Sequence, residues 1–125
     1  MKTTKMSRKI IPEMLNARNV LFGGTMMSWM DEVAGITAER FVKADLRTAA
    51  VEKINFYLPV YQEARVDVTG EVIHVGNTSM KILITVWMDD VNGGADIKIA
   101  DATFVYVAVD SEGKPKKIGK TLADA

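Results

Sequence analysis

Residues 22–42 read FGGTMMSWMDEVAGITAERFV, and this stretch predicts one long helix. No other segment of the chain predicts a helix of comparable length. After the two glycines, apolar and small residues recur at helical spacing and form one broad face: Met26, Met27, Met30, Val33, Ala34, Thr37 and Phe41. A helix that is apolar around most of its circumference is expected to be buried, with the rest of the chain packed around it.

A second face of the predicted helix carries Gly24, Ser28, Asp31, Gly35 and Ala38, which fall in one row at about 3.6 residues per turn. Four of these five residues are very small, so another backbone or a ligand could approach closely. Asp31 lies in the middle of the row, and we expect it to be buried there. Burying an unpaired carboxylate costs free energy, so Asp31 should be either paired or used. A salt bridge or a cap is one explanation, and a catalytic acid in a cleft is the one that we favour.

The length and composition predict one domain, residues 1–125, with a substantial core. Sixteen basic residues balance sixteen acidic ones, so the net charge gives no argument for nucleic acid or a membrane surface as a partner. The absence of cysteine excludes disulfides, a thiolate nucleophile and zinc-thiolate sites. No stretch reads as a signal peptide or a membrane span, and we expect a cytoplasmic protein.

The rest of the chain shows the period of two that is typical of β-strands. Strands are predicted at residues 4–11, 48–58, 64–75, 78–89 and 97–109, followed by a polar tail from about residue 115. The strand at 78–89 is partly apolar on both faces and should be central. Short turns between successive strands imply an antiparallel sheet. The prediction is therefore an α+β fold of the hot-dog type, in which about five antiparallel strands wrap around one long central helix.

Few kinds of catalysis are compatible with these residues. The single histidine, His74, lies within a predicted strand, and no Gly-x-Ser-x-Gly elbow accompanies it, so neither a serine hydrolase nor a histidine-bearing metal site is expected. Gly23 and Gly24 belong to no dinucleotide-binding pattern. Their backbone N–H groups, at the positive end of the helix dipole, could instead stabilise an oxyanion during acyl transfer to water. Asp31 lies about 10 Å further along the helix, so one helix cannot hold both groups around one carbonyl, and a site would need two subunits.

Three blocks of sequence resemble the hot-dog acyl-CoA thioesterases of the YciA and brain acyl-CoA hydrolase type. The first is NARNVLFGG at 16–24 followed by SWMD at 28–31, the second is VEKINFYLPV at 51–60, and the third is VGNTSM at 75–80. They occur in the family's order, and the resemblance covers roughly residues 11–109. The chain departs from the family at Asn19, where glycine is usual, at Glu52 and Asn55, where aspartate is usual, and at Asn77, where arginine is frequent.

The resemblance implies hydrolysis of an acyl-CoA to a free acid and CoA at the interface of a homodimer, without a metal or cofactor. Such dimers commonly assemble further, as dimers of dimers or trimers of dimers. Asp31 would be the nucleophile or the general base, and Asn16 of the facing subunit would polarise the thioester or position the water. The remaining site residues implied in this way are the backbone donors Gly23 and Gly24 and the substrate-binding residues Phe22, Ser28, Thr78 and Ser79.

Each of these residues also has a purely structural explanation. Asn16 could cap the helix or hold its entry loop, and Thr78 and Ser79 could simply begin a strand. Lys114, Lys116 and Lys117 could contact CoA phosphates, but a solvated tail is the interpretation that the sequence favours. Alternatives for the whole protein are a non-catalytic acyl-CoA-binding or ligand-sensing module, a hydratase or dehydratase, and a structural dimerisation domain.

Overall fold

The computed structural model describes residues 3–125 and contains one long helix and five strands. Strand β1 is Thr4–Lys9, helix α1 is Gly23–Phe41, and the other strands are β2, Asp45–Phe56, β3, Arg65–Val75, β4, Ser79–Met88, and β5, Ile97–Val109. Short 3-10 helices occupy Pro12–Met14 and Leu122–Asp124. The element order and the bounds of α1 and β5 agree closely with the sequence-based prediction.

The five strands form one antiparallel sheet in the order β1-β3-β4-β5-β2. Strand β4 is the middle strand, as its two apolar faces predict. The residues of β4 that alternate towards α1 are fully buried, among them Ile82 and Ile84. The helix packs across this face of the sheet, and Met30 and Val33 are fully buried there. The predicted hot-dog architecture, a sheet wrapped around one central helix, is confirmed.

At Gly70 of β3 the helix lies close against the sheet. A Cβ atom at this position would lie 2.6 Å from Thr37 Oγ1 and 3.0 Å from Val33 Cγ1 of the helix. Because real Cβ contacts are longer than this, a side chain at residue 70 would push α1 away from the sheet. The Thr37 hydroxyl itself is satisfied, since it donates to the carbonyl oxygen of Val33 at 2.7 Å.

Several strand ends differ from the prediction by one or two residues, and two larger differences, at the start of β2 and in the C-terminal segment, have a long-range cause. Strand β2 begins at Asp45, three residues before the predicted start at residue 48, because residues 45–47 pair with 107–109 of the long strand β5. The C-terminal residues are not an unattached polar tail. Pro115 bridges to Val109, Ile118 is buried, and the backbone N–H of Ile118 donates to the carbonyl of Asn77.

One side of α1 is not covered by the single chain. Of the row of small residues, Gly24, Ser28 and Asp31 are exposed, while Ala38 is buried. The expectation that Asp31 is buried is therefore wrong for the single chain, because the sheet covers only one face of the helix. No helix within residues 3–125 has the length and apolar character needed to cross a membrane.

Candidate active site

The carboxylate of Asp31 is held by two hydroxyl groups from the sheet. Tyr106 donates from its O–H to Asp31 Oδ1 at 2.7 Å, and Thr48 donates to the same oxygen at 3.1 Å. The Tyr106 hydroxyl also lies 3.1 Å from the backbone carbonyl oxygen of Asp31. Within residues 3–125, Asp31 Oδ2 accepts no hydrogen bond and belongs to an exposed side chain. One oxygen of the carboxylate is thus fixed, and the other is available to a reacting group.

The register of the sheet brings the two hydroxyls together. Thr48 of β2 pairs directly with Tyr106 of β5, and both strands reach Asp31 where α1 crosses them. Tyr106 lies on the buried face of β5 and is only 5% exposed. Burial, and secondarily the hydrogen bond to Asp31, raise the pKa of Tyr106 to about 12, although its contact with Thr48 acts in the opposite direction. Tyr106 therefore keeps its proton at neutral pH and can act only as a donor towards the carboxylate.

Asn16 lies in a tight loop that fixes the orientation of its side chain. The side-chain oxygen Oδ1 accepts from the backbone N–H groups of Arg18, at 2.8 Å, and Val20, at 3.3 Å. Asn19 completes the loop with a left-handed φ of 62°, as expected for an asparagine in this position. Because Oδ1 is already engaged, the amide group Nδ2 is the part of Asn16 that can contact a ligand, and it can only donate.

The N-terminus of α1 carries free backbone donors. Thr25 and Met26 donate to the carbonyl of Phe22, which leaves the N–H groups of Gly23 and Gly24 without a backbone acceptor in the described chain. A Cβ atom at Gly23 would meet nothing within 4 Å, whereas at Gly24 it would lie 2.6 Å from the ring of Phe22. The space beside the first turn is therefore open at Gly23 and occupied by the Phe22 ring at Gly24.

A cavity of about 250 Å³ opens beside this helix N-terminus. It lies between Gly23 and Met26 on one side and the segment 56–60, which begins with the last residue of β2, on the other. Much of that segment is apolar and exposed in the single chain: Phe56 is 51% exposed, Tyr57 51% and Leu58 47%. Phe22 is exposed as well, at 56%. The end of the helix that offers N–H donors thus adjoins a predominantly apolar space.

Within residues 3–125, the other predicted site residues form no hydrogen bond to the Asp31 side chain. The Ser28 hydroxyl donates to the carbonyl of Thr25 within its own helix. Thr78 immediately precedes β4 and Ser79 is its first residue; both are half-buried, and their backbone carbonyls accept from the N–H groups of Ala108 and Gly76 respectively. Among the described residues, no hydrogen bond joins Asp31 to Asn16, Thr78 or Ser79. His74 is exposed on β3. Residues 3–125 contain no group of three or more His, Asp or Glu side chains placed to share a metal ion.

Thr48 and Tyr106 are the two residues that the sequence analysis missed. The sequence could have indicated Tyr106, because it shares the core face of β5 with Ala102, Phe104 and Ala108. A buried tyrosine hydroxyl needs a hydrogen-bond partner. Nothing near it in sequence identifies that partner. Thr48 has no comparable local signal, since its role depends on the pairing of β2 with β5.

Comparisons with known proteins agree on one family. A model described as the thioesterase superfamily matches residues 18–95. The acyl-CoA thioester hydrolase YciA of Escherichia coli is 36% identical over 111 residues, which are 86% of this chain and 84% of that protein. The acyl-CoA hydrolase of Staphylococcus aureus, solved with butyryl coenzyme A, coenzyme A and coenzyme A disulfide, superposes with a TM-score of 0.87 at 30% identity, over 93% of this chain and 71% of that one.

A further solved structure is HI0827, a hexameric broad-specificity acyl-coenzyme A thioesterase, with a TM-score of 0.79 and 33% identity over 92% of this chain and 80% of that one. The S. aureus enzyme has also been solved as three alanine variants, of an asparagine, an aspartate and a threonine. Along that chain the three residues follow one another at the same separations as Asn16, Asp31 and Thr48 do here.

Proposed function

This chain belongs to the thioesterase superfamily, and from that premise we propose that it hydrolyses an acyl-CoA thioester to a free acid and CoA, with Asp31 as the catalytic carboxylate. Relatives named acyl-CoA thioester hydrolases support the reaction class, since they match most of this chain at 32–36% identity. The observation that carries the residue assignment is the geometry of Asp31, whose Oδ1 is held by two donors while Oδ2 is free.

Asp31 acts through Oδ2 in either of two ways. As a general base, Oδ2 takes a proton from water while the water oxygen attacks the thioester carbon; the tetrahedral intermediate then collapses, the C–S bond breaks, and CoA leaves as the thiol with that proton. As a nucleophile, Oδ2 attacks that carbon itself, forms a mixed anhydride and expels the CoA thiolate, and water then hydrolyses the anhydride. In both routes Tyr106 and Thr48 keep the carboxylate in one orientation. Tyr106 and Thr48 are therefore positioning residues.

Asn16 and the N-terminus of α1 stabilise the oxyanion. Negative charge develops on the thioester carbonyl oxygen as the carbon is attacked, and N–H donors aimed at that oxygen lower the barrier. Asn16 supplies Nδ2, because its loop has already engaged Oδ1. Gly23 and Gly24 supply backbone N–H groups at the positive end of the helix dipole. The apolar cavity beside Gly23 accommodates the acyl group.

The site is completed by a second copy of the chain. Asp31 lies about 10 Å along α1 from the glycine donors, so the two halves of the chemistry come from different helices. Strand β2 supports this arrangement, because it is a twelve-residue edge strand with exposed apolar residues such as Val51 and Phe56. An edge strand presents unpaired backbone N–H and C=O groups, with which a strand of another chain can pair. A homodimer in which the uncovered side of α1 faces its partner brings Asp31 to the partner's helix N-terminus.

Further assembly of these dimers is part of the proposal. The hexameric state of HI0827 supports a homo-oligomer, and the dimer of dimers or trimer of dimers stays a prediction for this chain. Thr78, Ser79, Phe22 and Ser28 stay predicted substrate contacts, and the cytoplasmic location stays a prediction.

The test is release of free thiol from a panel of acyl-CoAs, short to long and one aromatic, by the wild type and by a folded Asp31→Asn variant. We expect wild-type turnover to fall by orders of magnitude in the variant while binding of CoA persists. Tight binding of acyl-CoA without turnover by the wild type would instead identify a carrier or sensor. Turnover that survives the substitution would remove Asp31 from the mechanism.

A further inference from the structure

A strongly basic cavity of about 380 Å³ lies at the C-terminal end of α1, away from the carboxylate centre. It is bounded by the last turn of the helix, by the two residues that follow Val42, and by the C-terminal segment 116–120. Five of the chain's sixteen basic residues line it: Arg40, Lys43, Lys116, Lys117 and Lys120. No acidic residue lines it. In a chain without net charge, this concentration of positive charge needs a specific explanation.

Stabilisation of the helix end explains only part of the cluster. Lys120 donates from Nζ to the carbonyl oxygen of Phe41 at 2.8 Å and lies over the Phe41 ring, as cations at helix C-termini do. Arg40 donates to the carbonyl oxygen of Thr3 at 2.9 Å. Within residues 3–125, none of the five cations forms a salt bridge. The like charges of the cluster therefore repel one another until an anion is bound.

The nearby carboxylate of Asp124 does not neutralise the cluster. Asp124 lines the adjoining cavity together with Arg40 and Lys120. Its Oδ2 accepts from the backbone N–H of Thr121 at 2.8 Å and from the Thr121 hydroxyl at 3.2 Å. These hydrogen bonds lower the pKa of Asp124, with a smaller contribution from Lys120. Lys43, Lys116 and Lys117 face the larger cavity without any such partner.

The segment that carries the lysines is fixed to the sheet. The N–H of Lys116 donates to the carbonyl of Ala108 at 2.8 Å, and the N–H of Ile118 donates to the carbonyl of Asn77 at 2.9 Å. Ile118 is 8% exposed and forms an apolar wall with the buried Phe41 and Val42. The lysine side chains therefore project from an anchored backbone beside the turn that precedes β4. Such an arrangement limits the conformational entropy lost when a ligand binds.

We propose that this cavity binds a phosphate-bearing ligand through Lys43, Lys116, Lys117 and the free donors of Arg40. Ammonium and guanidinium groups that converge on one space are the usual protein ligands of phosphate oxygens. The phosphate has two possible sources. One is the CoA part of the substrate, an interpretation that rests on the proposed function. The other is a separate phosphorylated molecule, whose binding does not depend on turnover.

The test uses Lys116→Gln/Lys117→Gln, with Lys5→Gln/Lys9→Gln as the matched control. The control removes the same charge from exposed lysines of β1, outside the cavity. Calorimetry with inorganic pyrophosphate and with free CoA measures binding directly. We expect the wild type and the control to bind at least one of these probes, and the test variant to bind it at least about tenfold more weakly. Binding should also weaken with added salt.

Kinetics then distinguish the two sources, using an acyl-CoA and the corresponding acyl-pantetheine, which lacks phosphate. If the site holds the substrate's phosphates, the test variant raises KM for the acyl-CoA about tenfold, leaves kcat unchanged and leaves the acyl-pantetheine unaffected. If the ligand is a separate molecule, neither KM changes while pyrophosphate binding is lost. The proposal is overturned if the wild type binds neither probe, or if the test variant and the control bind equally well. Because binding is measured without turnover, an inactive protein would refute the proposed function alone.

Discussion

Replacing Tyr106 by phenylalanine removes a single oxygen atom and so measures what the hydrogen bond from Tyr106 to Asp31 contributes to catalysis. The ring is retained, so the core around β5 stays packed, and the exposed carboxylate can be solvated by water. What is lost is the 2.7 Å hydrogen bond to Asp31 Oδ1 and the 3.1 Å contact with the carbonyl of the same residue. A hydrogen bond to a charged group contributes about 1.5–3 kcal/mol.

If that free energy is realised in the transition state, kcat should fall roughly tenfold to hundredfold, since each 1.4 kcal/mol is about a factor of ten. KM should change little, because Tyr106 is buried behind the carboxylate and is not expected to contact substrate. The assay is steady-state thiol release with a saturating acyl-CoA, together with direct binding of CoA.

Thr48→Val extends the measurement to the second donor. Its 3.1 Å bond is longer, so the loss in kcat should be smaller than for Tyr106→Phe. Because both hydroxyls hold the same oxygen, the double variant should deviate from additivity by about 0.5 kcal/mol or more. Thr69→Val is the matched control, since the Thr69 hydroxyl donates to the carbonyl of Thr85 on the sheet, away from Asp31. A Tyr106→Phe variant with wild-type kcat, or with a change confined to KM, would refute the role given to this hydrogen bond.

Three further predictions concern packing, pH and assembly. Gly70→Ala should lower the free energy of unfolding by about 1–3 kcal/mol, because the new Cβ atom overlaps side chains of the helix. Denaturant titrations measure this, and an unchanged unfolding midpoint would contradict the close packing of α1 on β3. Between pH 10 and 12 the unfolded chain has released the proton that Tyr106 still holds in the folded protein, so the free energy of unfolding should fall as pH rises, by at most about 1.4 kcal/mol per pH unit. This fall in the free energy of unfolding between pH 10 and 12 should be absent from Tyr106→Phe. If the two proteins show the same fall, groups other than Tyr106 cause it. Val51→Lys, on the exposed edge strand, should weaken self-association, measured by sedimentation velocity, and should reduce turnover, measured by thiol release, to the same extent. The control Val91→Lys, at a loop residue that is 94% exposed, should change neither. Equal behaviour of the two variants would argue against β2 as the interface.

The sequence predicts the architecture well because its periodicities are strong. The period of the apolar residues between Met26 and Phe41 defines α1, and the two apolar faces of 78–89 place β4 in the centre of the sheet. The start of β2 is different. Residues 43–47 have no strong local preference for a strand, and only their pairing with β5 makes Asp45 the first residue of β2.

The candidate site is harder to predict from the sequence. The row of small residues identifies Asp31. A helical pattern, however, does not tell whether a helix face packs against the same chain or against another one. For this reason the sequence predicts that Asp31 is buried, whereas Asp31 is exposed in the single chain. Tyr106 lies 75 positions from Asp31, and Thr48 lies 17 positions away. Their convergence depends on the register of β2 with β5. Conversely, the lysines of 116–120 read as a solvated tail until the burial of Ile118 shows how the segment is anchored.

The most direct test of the account asks whether one active site takes residues from two chains. Asp31→Asn and Asn16→Ala are purified separately, each with little turnover, then mixed under conditions that exchange subunits. If Asp31 and Asn16 of one site come from different chains, each mixed dimer regains one intact site, and activity should recover to about a quarter of wild type after random reassortment. If both residues act within one chain, every site in the mixture carries a substitution. Activity that stays at the level of the separate variants, despite demonstrated subunit exchange, would contradict the two-chain site.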